Sequence, residues 1–375
     1  MSNTRRTYLD WNATAPLRLQ ARDACIAALD VVGNPSSPHA EGRRARAIIE
    51  DAREQVAALV GAKPAEVVFT SGGTEANNAV LSAGWDTIVL SGIEHDSVLS
   101  PSRAGKARIV EMPVGRSGVV RADAPVAADA TSGRMLLSLQ MANNETGVIQ
   151  PVAEVAAVAK AQGFFVHTDA VQAAGRIPVD VRALGVDCLT LSAHKIGGPK
   201  GVGALVIHER ANLPAFIAGG GQERRRRAGT ENVAAIAGFG AAAEAAQRDL
   251  ARMQRVAVLR DRLEGQVRAV TPAAVVIGAE AARLPNTANI ALAGASAETL
   301  VIALDLAGIA VSAGAACSSG KVGTSHVLEV MGLEMTVARA AIRVSLGWSS
   351  TESDVAAFVD AWSRIAARQR ERAVA

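Results

Sequence analysis

The sequence is poor in cysteine, has no long apolar run and carries little net charge. Its three cysteines, Cys25, Cys188 and Cys317, are far apart and odd in number, which argues against a disulfide framework and against a structural zinc site. No apolar run approaches the roughly 18 residues that a membrane span needs. The formal net charge of +3 gives no reason to expect nucleic acid or a membrane surface as a partner. We therefore expect a soluble protein of a reducing, cytoplasmic compartment that binds no metal.

The apolar content is sufficient for a substantial core, since 49% of the 375 residues are hydrophobic and 20% are charged. From about residue 45 to residue 210, short apolar segments alternate with amphipathic segments of helix length. The strand candidates are 67–69, 87–90, 135–139, 164–167, 188–191 and 204–207. This alternation predicts an α/β fold, in which helices cover both faces of a mixed, mostly parallel sheet.

The pattern changes after residue 232. An alanine-rich segment at 233–270 predicts one long helix. Shorter strand candidates follow it at 275–277, 287–292, 309–312 and 342–346. We predict a large domain of residues 14–250 and a smaller α+β domain formed by residues 1–13 together with residues 251–375.

Polar clusters follow several of the predicted strands. They lie at 70–75, 94–95, 143–144, 169 and 192–195. Ligands of open α/β sheets bind at the carboxyl ends of the strands. The sequence therefore predicts a single site at that edge of the sheet.

The most informative of these clusters contains a lysine in a glycine-rich turn. An apolar strand leads into Ser192, His194 and Lys195, and glycines follow within 197–201. A lysine held there is placed to form a Schiff base with a carbonyl cofactor. A surface lysine in an ordinary strand-to-loop turn is the alternative, and this segment alone does not separate the two.

The segment 71–75 follows a strand and opens a helix. Gly72 and Gly73 let the backbone approach an anion, free N–H groups at the helix terminus donate to it, and the Thr74 hydroxyl adds a donor. This pattern predicts an anion site. The alternative is a helix start that is merely capped.

Asp169 stands at the end of an apolar strand, and Gln172 follows one helical turn later. A buried carboxylate needs a cationic or protonated partner. A pyridinium nitrogen is one such partner, and its protonation makes the ring an electron sink. A structural aspartate that caps a helix is the alternative for Asp169.

The order of these motifs resembles fold-type-I pyridoxal-phosphate enzymes. More specifically, the chain resembles cysteine desulfurases of the NifS/IscS group, in the class V aminotransferase-like family. The segments that carry the resemblance are 8–14, 71–78, 94–95, 142–145, 167–172, 192–203 and 219–232. The resemblance extends over about residues 7–360 and implies pyridoxal 5'-phosphate as the cofactor.

The resemblance also implies roles for individual residues. Lys195 would carry the cofactor, Asp169 would pair with its ring nitrogen, and His95 would stack on the ring and shuttle protons. The other cofactor contacts would be Gln172 at the ring hydroxyl, Gly73, Thr74, Ser192 and His194 at the phosphate, Asn144, and Thr230, which would reach the phosphate of a neighbouring subunit in a homodimer. Asn34, Asn144 and Arg343 would hold the substrate carboxylate, a task that suits an arginine fork.

Cys317 lies among glycines and small residues, where a mobile loop can carry a thiol between an active site and an outside acceptor. A buried, inert cysteine is the alternative, and it describes Cys25 and Cys188. By the resemblance, Cys317 would attack the sulfur of L-cysteine, giving L-alanine and a persulfide. The sulfur would then pass to an acceptor protein for iron–sulfur cluster assembly or thiolation.

Other functions stay open at this point. A selenocysteine lyase or an aminotransferase of the same family would share the cofactor residues, and a sulfur-carrier partner could have kept the fold without the activity. The run Arg224 to Arg227 is interpreted as a feature of a dimer interface or of the site's entrance, rather than as a nucleic-acid contact.

Overall fold

The computed structural model describes residues 6–121, 133–314 and 324–374. The strands are β1 (Thr7–Tyr8), β2 (Val67–Thr70), β3 (Thr87–Ser91), β4 (Arg108–Met112), β5 (Met135–Ser138), β6 (Phe165–Asp169), β7 (Cys188–Ser192), β8 (Gly203–Ile207), β9 (Ala274–Ile277), β10 (Thr287–Leu292), β11 (Ile309–Ala310), β12 (Ser312–Ala313) and β13 (Ala341–Ser345). The helices are α1 (Leu19–Leu29), α2 (Ala40–Leu59), α3 (Gly73–Leu81), α4 (Asp96–Ala104), α5 (Val152–Ala161), α6 (Val181–Leu184), α7 (Val233–Asp249), α8 (Met253–Val270), α9 (Ala297–Leu306), α10 (His326–Val330), α11 (Met335–Ala338) and α12 (Glu352–Val374). Short 3-10 turns cover Pro64–Glu66, Ala193–Lys195, Gln222–Arg225 and Leu250–Arg252. Within these ranges, no helix is both long and apolar enough to span a membrane.

The large sheet has the strand order β2-β8-β7-β6-β5-β3-β4. β8 runs antiparallel to β2 and β7, whereas the other neighbouring pairs are parallel. The sheet is therefore mixed and mostly parallel, which confirms the predicted fold class.

Successive residues of the central strands belong to different hydrophobic clusters. Leu136 packs in one cluster with Leu90, and Leu137 packs in another with Val166. Neighbouring side chains of a strand point to opposite faces, so both faces of the sheet are buried. That is why these strands are continuous apolar runs in the sequence.

The edge strand β4 was missed by the sequence analysis. It pairs with β3, and its residues are mostly exposed or half-buried. Arg108 and Glu111 interrupt the apolar pattern that identified the central strands. A pattern produced by burial on both faces is weak where one side of the strand meets solvent.

A smaller antiparallel sheet has the order β12-β13-β10-β9. Its apolar side chains share a core with Leu9 and with Phe358 and Trp362 of α12. β1 pairs in parallel with β11, so the N-terminal segment contacts the C-terminal part of the chain. These contacts agree with grouping residues 1–13 with residues 251–375, and the domain boundaries themselves stay a prediction.

The prediction of one long helix at 233–270 is wrong, because the segment divides into α7 and α8. The break follows Asp249, whose carboxylate accepts a hydrogen bond from Arg18 Nη1 at 2.6 Å. Asp249 also pairs with Arg252 at 3.0 Å. No glycine or proline marks this position, and the contact with Arg18 spans 231 positions. A tertiary ion pair of this kind leaves no local signal.

The single strand predicted at 309–312 is also wrong. Its residues divide between two sheets, since β11 pairs with β1 and β12 pairs with β13. The apolar pattern predicts extended chain, but it does not show which strand supplies the partner.

Candidate active site

A cavity of about 630 Å³ lies at the carboxyl ends of the parallel strands. It is lined by residues from distant parts of the sequence, at the edge where the sequence analysis expected a site. The predicted site residues among them are Gly73, Thr74, His95, Asn144, Asp169, Gln172, Ser192, His194, Lys195 and Arg343.

Lys195 ends the 3-10 turn that follows β7. Its Nζ donates to the carbonyl oxygens of Asn12 at 2.6 Å and Ala13 at 2.8 Å. The side chain lines the cavity and is part-buried. These contacts with the N-terminal segment separate Lys195 from a surface lysine in an ordinary turn, because they fix its amine inside a site.

Asp169 ends β6 and is buried. Its Oδ1 accepts a hydrogen bond from the Val171 N–H at 2.9 Å, which is the turn contact of a structural aspartate. Its Oδ2 accepts from Asn77 Nδ2 at 2.7 Å. A cationic ring nitrogen in the cavity would therefore meet a carboxylate whose orientation these two hydrogen bonds fix.

Asn77 was not predicted as a site residue, although it falls within the 71–78 motif. Its Nδ2 donates to Asp169 and also to Ser97 Oγ at 2.9 Å. Ser97 Oγ lies 2.7 Å from His95 Nδ1. A short polar network thus joins the carboxylate to the imidazole. The available signal was spacing, since Asn77 follows Thr74 by one helical turn and so shares its face of α3.

The tautomer of His95 follows from its contacts. His95 caps α4, and its Nδ1 accepts the Ser97 N–H at 3.0 Å. The neutral ring therefore carries its proton on Nε2. Burial lowers the pKa of His95; Asp169 opposes this effect and Lys195 adds to it. His95 is a neutral imidazole at pH 7.

Gln172 has a defined amide orientation. Its Nε2 donates to the Asn12 carbonyl at 3.1 Å, and its Oε1 accepts from Arg176. Arg176 also donates to the Trp11 carbonyl at 3.4 Å. Because Arg176 engages the amide oxygen, Gln172 has a donor to offer a ligand oxygen in the cavity. Burial lowers the pKa of Arg176 to about 9, and the charge on Arg343 adds to this.

The predicted anion site consists of residues 71–74 at the N-terminus of α3, which line the cavity. A Cβ at Gly203 would lie 2.7 Å from Gly72 Cα and from the Leu191 carbonyl oxygen. The loop therefore lies directly on β8, and only glycine leaves room for it. His194 also lines the cavity, and burial lowers its pKa to about 4, with Lys195 and Lys200 adding to the effect. Neutral donors and a helix terminus suit a phosphate.

Arg343 of β13 is buried and lines the cavity. Its Nη1 donates to the Asn144 carbonyl at 3.0 Å. Its Nη2 donates to Asp10 Oδ1 at 2.9 Å and to Ser312 Oγ at 3.1 Å. Its buried Nε has no hydrogen-bond partner in the part of the chain that the structure describes. An orphaned donor on a buried guanidinium is suited to a carboxylate ligand.

Two predicted site residues, Asn34 and Thr230, do not line this cavity. Asn34 is exposed, and its Oδ1 accepts the Ser36 N–H at 2.9 Å within a turn. Local backbone bonding therefore occupies the side chain that the resemblance assigned to the substrate. Thr230 is exposed and does not line the cavity. Its predicted role concerns a neighbouring subunit and stays a prediction.

The predicted nucleophile Cys317 lies outside the described residues. Cys188 is buried in β7, and burial raises its thiol pKa well above the usual value. Cys25 is half-buried in α1, and burial raises its thiol pKa as well. Neither has the thiolate character that a nucleophile needs.

Comparisons with known proteins agree with this site. The family model described as aminotransferase class-V matches residues 7–358. "Cysteine desulfurase IscS" of Dictyoglomus turgidum is 41% identical over 378 aligned positions, covering 98% of this chain and 96% of that protein. A "Cysteine desulfurase" of Sinorhizobium fredii is 43% identical over 368 positions, 94% of each chain. The X-ray structure of a NifS-like protein from Rickettsia africae is 36% identical, with a TM-score of 0.90 over 96% of this chain and 99% of that one.

The chain belongs to the aminotransferase class-V family, in its cysteine desulfurase group. The NifS-like structure has the same fold over nearly the whole chain. The family, the fold type and the enzyme class predicted from the sequence are confirmed.

Proposed function

We propose that this chain converts L-cysteine to L-alanine with pyridoxal 5'-phosphate and holds the released sulfur as a persulfide on Cys317. One observation supports this most directly: Lys195, Asp169 and His95 meet in one cavity beside a helix N-terminus. The net reaction balances without an external oxidant or reductant. L-cysteine and the Cys317 thiol give L-alanine and Cys317–S–SH, so one C–S bond breaks and one S–S bond forms.

The residues of the cavity fit the cofactor. Lys195 supplies the amine that would bind its aldehyde, Asp169 supplies the carboxylate for its ring nitrogen, and residues 71–74 with Ser192 and His194 supply phosphate donors. When bound, pyridoxal phosphate supplies an electron sink for the substrate's reacting carbon. The protein's part is to hold the charges and protons around that ring.

His95 can hold and move a proton at Nε2, because its Nδ1 is engaged by the Ser97 N–H. Burial lowers the pKa of His95, which favours the neutral ring with its proton on Nε2. Asn77 orients Asp169 and contacts Ser97, the residue that orients His95. The carboxylate and the imidazole are thus linked through two intermediate side chains, Asn77 and Ser97.

Arg343 is suited to the carboxylate of the substrate. Asp10, Ser312 and the Asn144 carbonyl hold its two Nη atoms, which fixes the plane of the guanidinium. The fixed plane reduces the rotamer entropy that binding would otherwise cost. A carboxylate gripped there would present the rest of the amino acid to the cavity.

The described residues that flank the Cys317 segment lie beside the same site. Before it, Ser312 contacts Arg343. After it, Ser325 donates to Glu145, and His326 Nε2 lies 3.0 Å from the Glu94 carbonyl oxygen. Glu145 and Glu94 are chain neighbours of Asn144 and His95. Both ends of the segment are therefore next to the cavity, which supports Cys317 as the sulfur acceptor.

A second copy of this chain is the proposed structural partner. Leu19, Ile26 and Leu29 of α1 are 54% to 73% exposed, an unusual apolar surface for a helix that faces water. Thr230 is exposed as well, as a residue that reaches into a neighbouring subunit would be. We also propose a protein acceptor for the sulfur, in iron–sulfur cluster assembly or thiolation, and the cytoplasm as the location.

The test is incubation of the purified protein with pyridoxal phosphate and sulfur-labelled cysteine, followed by peptide mapping. Borohydride should trap a pyridoxyl group on Lys195, and the label should lie on Cys317. Cys317→Ala should lose the label, whereas Cys25→Ala, the matched control, should keep it. A Cys317→Ala variant that forms persulfide at the wild-type rate would overturn the assignment.

The alternatives give different outcomes in the same assay. An aminotransferase would exchange amino groups between an amino acid and a keto acid without releasing sulfur. A selenocysteine lyase would turn over selenocysteine in preference to cysteine. An inactive carrier would give neither alanine nor the pyridoxyl group on Lys195.

A further inference from the structure

The run Arg224 to Arg227 has no role in the proposed reaction, yet its backbone is unusual. Glu223, Arg224 and Arg225 have φ values of 43°, 57° and 64°. Residues other than glycine rarely adopt such values, and several in succession persist only where surrounding contacts enforce them. A segment held in this way calls for a functional explanation.

The contacts that enforce this backbone centre on Glu223. Arg53 of α2 donates to both of its carboxylate oxygens, each at 2.8 Å. The Phe69 N–H of β2 donates to Glu223 Oε2 at 2.8 Å. Both charged side chains are buried. The arginine run is therefore anchored to the same strand that leads into the anion-binding loop.

Two residues after this strained stretch, Arg227 reaches that loop. Its Nε donates to Glu75 Oε1 at 3.0 Å. Glu75 Oε2 accepts the Ser71 N–H at 2.9 Å. Glu75 lines the cavity next to Thr74. One arginine thus contacts a carboxylate that in turn fixes the backbone of the loop.

A carboxylate at this position would oppose phosphate binding if it were not neutralised. Burial favours the protonated form of Glu75, but the bonds from Arg227 and Ser71 outweigh it and hold its pKa below the usual value. Glu75 is therefore ionised at neutral pH. Its negative charge lies beside the site proposed for a phosphate dianion, and repulsion between such groups is strong at short range in a protein.

We infer that Arg227 is a positioning residue for phosphate binding: it neutralises Glu75 and so lets Glu75 hold the loop at Ser71 without repelling the phosphate. This inference rests on the proposed function, since it takes the phosphate of the cofactor to bind at residues 71–74. The strained turn anchored by Arg53 and Glu223 serves to aim Arg227 at Glu75.

The experiment measures equilibrium binding of pyridoxal phosphate and of pyridoxal, which lacks the phosphate, to the cofactor-free protein. In Arg227→Gln the affinity for pyridoxal phosphate should fall about tenfold or more, while the affinity for pyridoxal stays within about twofold. In Glu75→Gln, where the amide oxygen can still accept the Ser71 N–H, the affinity for pyridoxal phosphate should hold or rise. The double variant should recover the affinity of Glu75→Gln.

Arg248→Gln is the matched control, because it removes the same charge from an arginine–glutamate pair, Arg248 with Glu244 at 2.9 Å, on the exposed face of α7. It should leave both affinities unchanged. Equal losses for pyridoxal and pyridoxal phosphate in Arg227→Gln would overturn the inference, as would a double variant as weak as Arg227→Gln alone. If Arg227→Gln does not fold, a loss of pyridoxal phosphate affinity in Glu75→Gln overturns it independently.

The outcome is separable from that of the proposed function. A wild-type protein that forms no pyridoxyl adduct at Lys195 contradicts the proposed function. A wild-type protein that forms the adduct, together with an Arg227→Gln variant of unchanged affinity, contradicts only the role of Arg227.

Discussion

The side-chain amide of Asn77 lies 2.7 Å from Asp169 Oδ2, so a residue of α3 orients the carboxylate at the end of β6. The Oδ1 of Asn77 is buried and has no hydrogen-bond partner among the described residues. The side chain of Asn77 therefore contacts its neighbours through its amide nitrogen. The same nitrogen contacts Ser97, which ties the carboxylate to the residue that orients His95.

Replacement of Asn77 tests this relationship. Asn77→Leu would leave Asp169 Oδ2 without its donor, which costs about 1–3 kcal/mol for a buried group. We expect the affinity for pyridoxal phosphate to fall by about tenfold, measured by titration of the cofactor-free protein. Thermal unfolding of that protein controls for a general loss of structure. Unchanged affinity in a folded Asn77→Leu variant would show that Asp169 needs no orientation by α3.

Arg176 should act through Gln172. Arg176→Met removes the donor to the amide oxygen, so the amide can rotate and present an acceptor to the cofactor. We expect a fall of about tenfold in cofactor affinity, equivalent to about 1.4 kcal/mol. A double-mutant cycle with Gln172→Leu is the measurement, because Arg176→Met should add little in that background. Fully additive losses would mean that Arg176 acts independently of Gln172.

Arg343 should bind the substrate rather than the cofactor. Arg343→Lys keeps the charge but loses the planar fork that grips a carboxylate. The KM for L-cysteine should rise by about tenfold or more, while the affinity for pyridoxal phosphate stays the same. Steady-state alanine release gives the first quantity and cofactor titration gives the second. A variant that loses cofactor affinity to the same extent would place Arg343 at the cofactor instead.

The buried His167 should make the fold less stable in acid. Burial lowers its pKa to about 4, whereas an unfolded chain titrates near 6.5. Between these values the unfolded state binds the proton and the native state does not, so the stabilisation is present above about pH 6.5 and is lost as the pH falls. From pH 7 to pH 5 this single group should lower the free energy of unfolding by about 2 kcal/mol.

Urea unfolding of wild type and His167→Gln at both pH values isolates this contribution. Other buried groups titrate in the same range, notably Glu94, whose pKa burial raises to about 8. They affect both proteins alike and cancel in the difference. The loss of stability on going from pH 7 to pH 5 should be smaller in the variant. An equal loss in both proteins would contradict the assignment.

Much of the fold can be predicted from the sequence, because a buried strand or helix face produces a pattern of apolar residues that are close together in the chain. The central strands are continuous apolar runs since both faces of the sheet are covered. The motif residues Asp169 and Lys195 are predictable because the first ends such a strand and the second lies three residues after the end of another. Strand β4 is only partly buried, so polar residues interrupt its apolar pattern. The sequence pattern therefore does not predict it as a strand.

The positioning residues were not accessible for a different reason. Asn77 and Asp169 are 92 positions apart, and Arg227 and Glu75 are 152 positions apart. Asparagine in a helix and arginine in a basic run are both common. The sequence around each residue therefore does not indicate which distant side chain it contacts. The break between α7 and α8 could not be predicted from the sequence for the same reason, because Arg18 lies far from Asp249 in the chain.

The sequence by itself determined the α/β class, the edge of the sheet where the site lies and the residue types that would do the chemistry. These follow from periodicity and from the ends of apolar strands, which depend only on neighbouring residues. The tertiary structure decided which amide holds which carboxylate, the tautomer of His95 and the pairing of Arg227 with Glu75. Those depend on distances between side chains that only the folded chain brings within a hydrogen bond of one another.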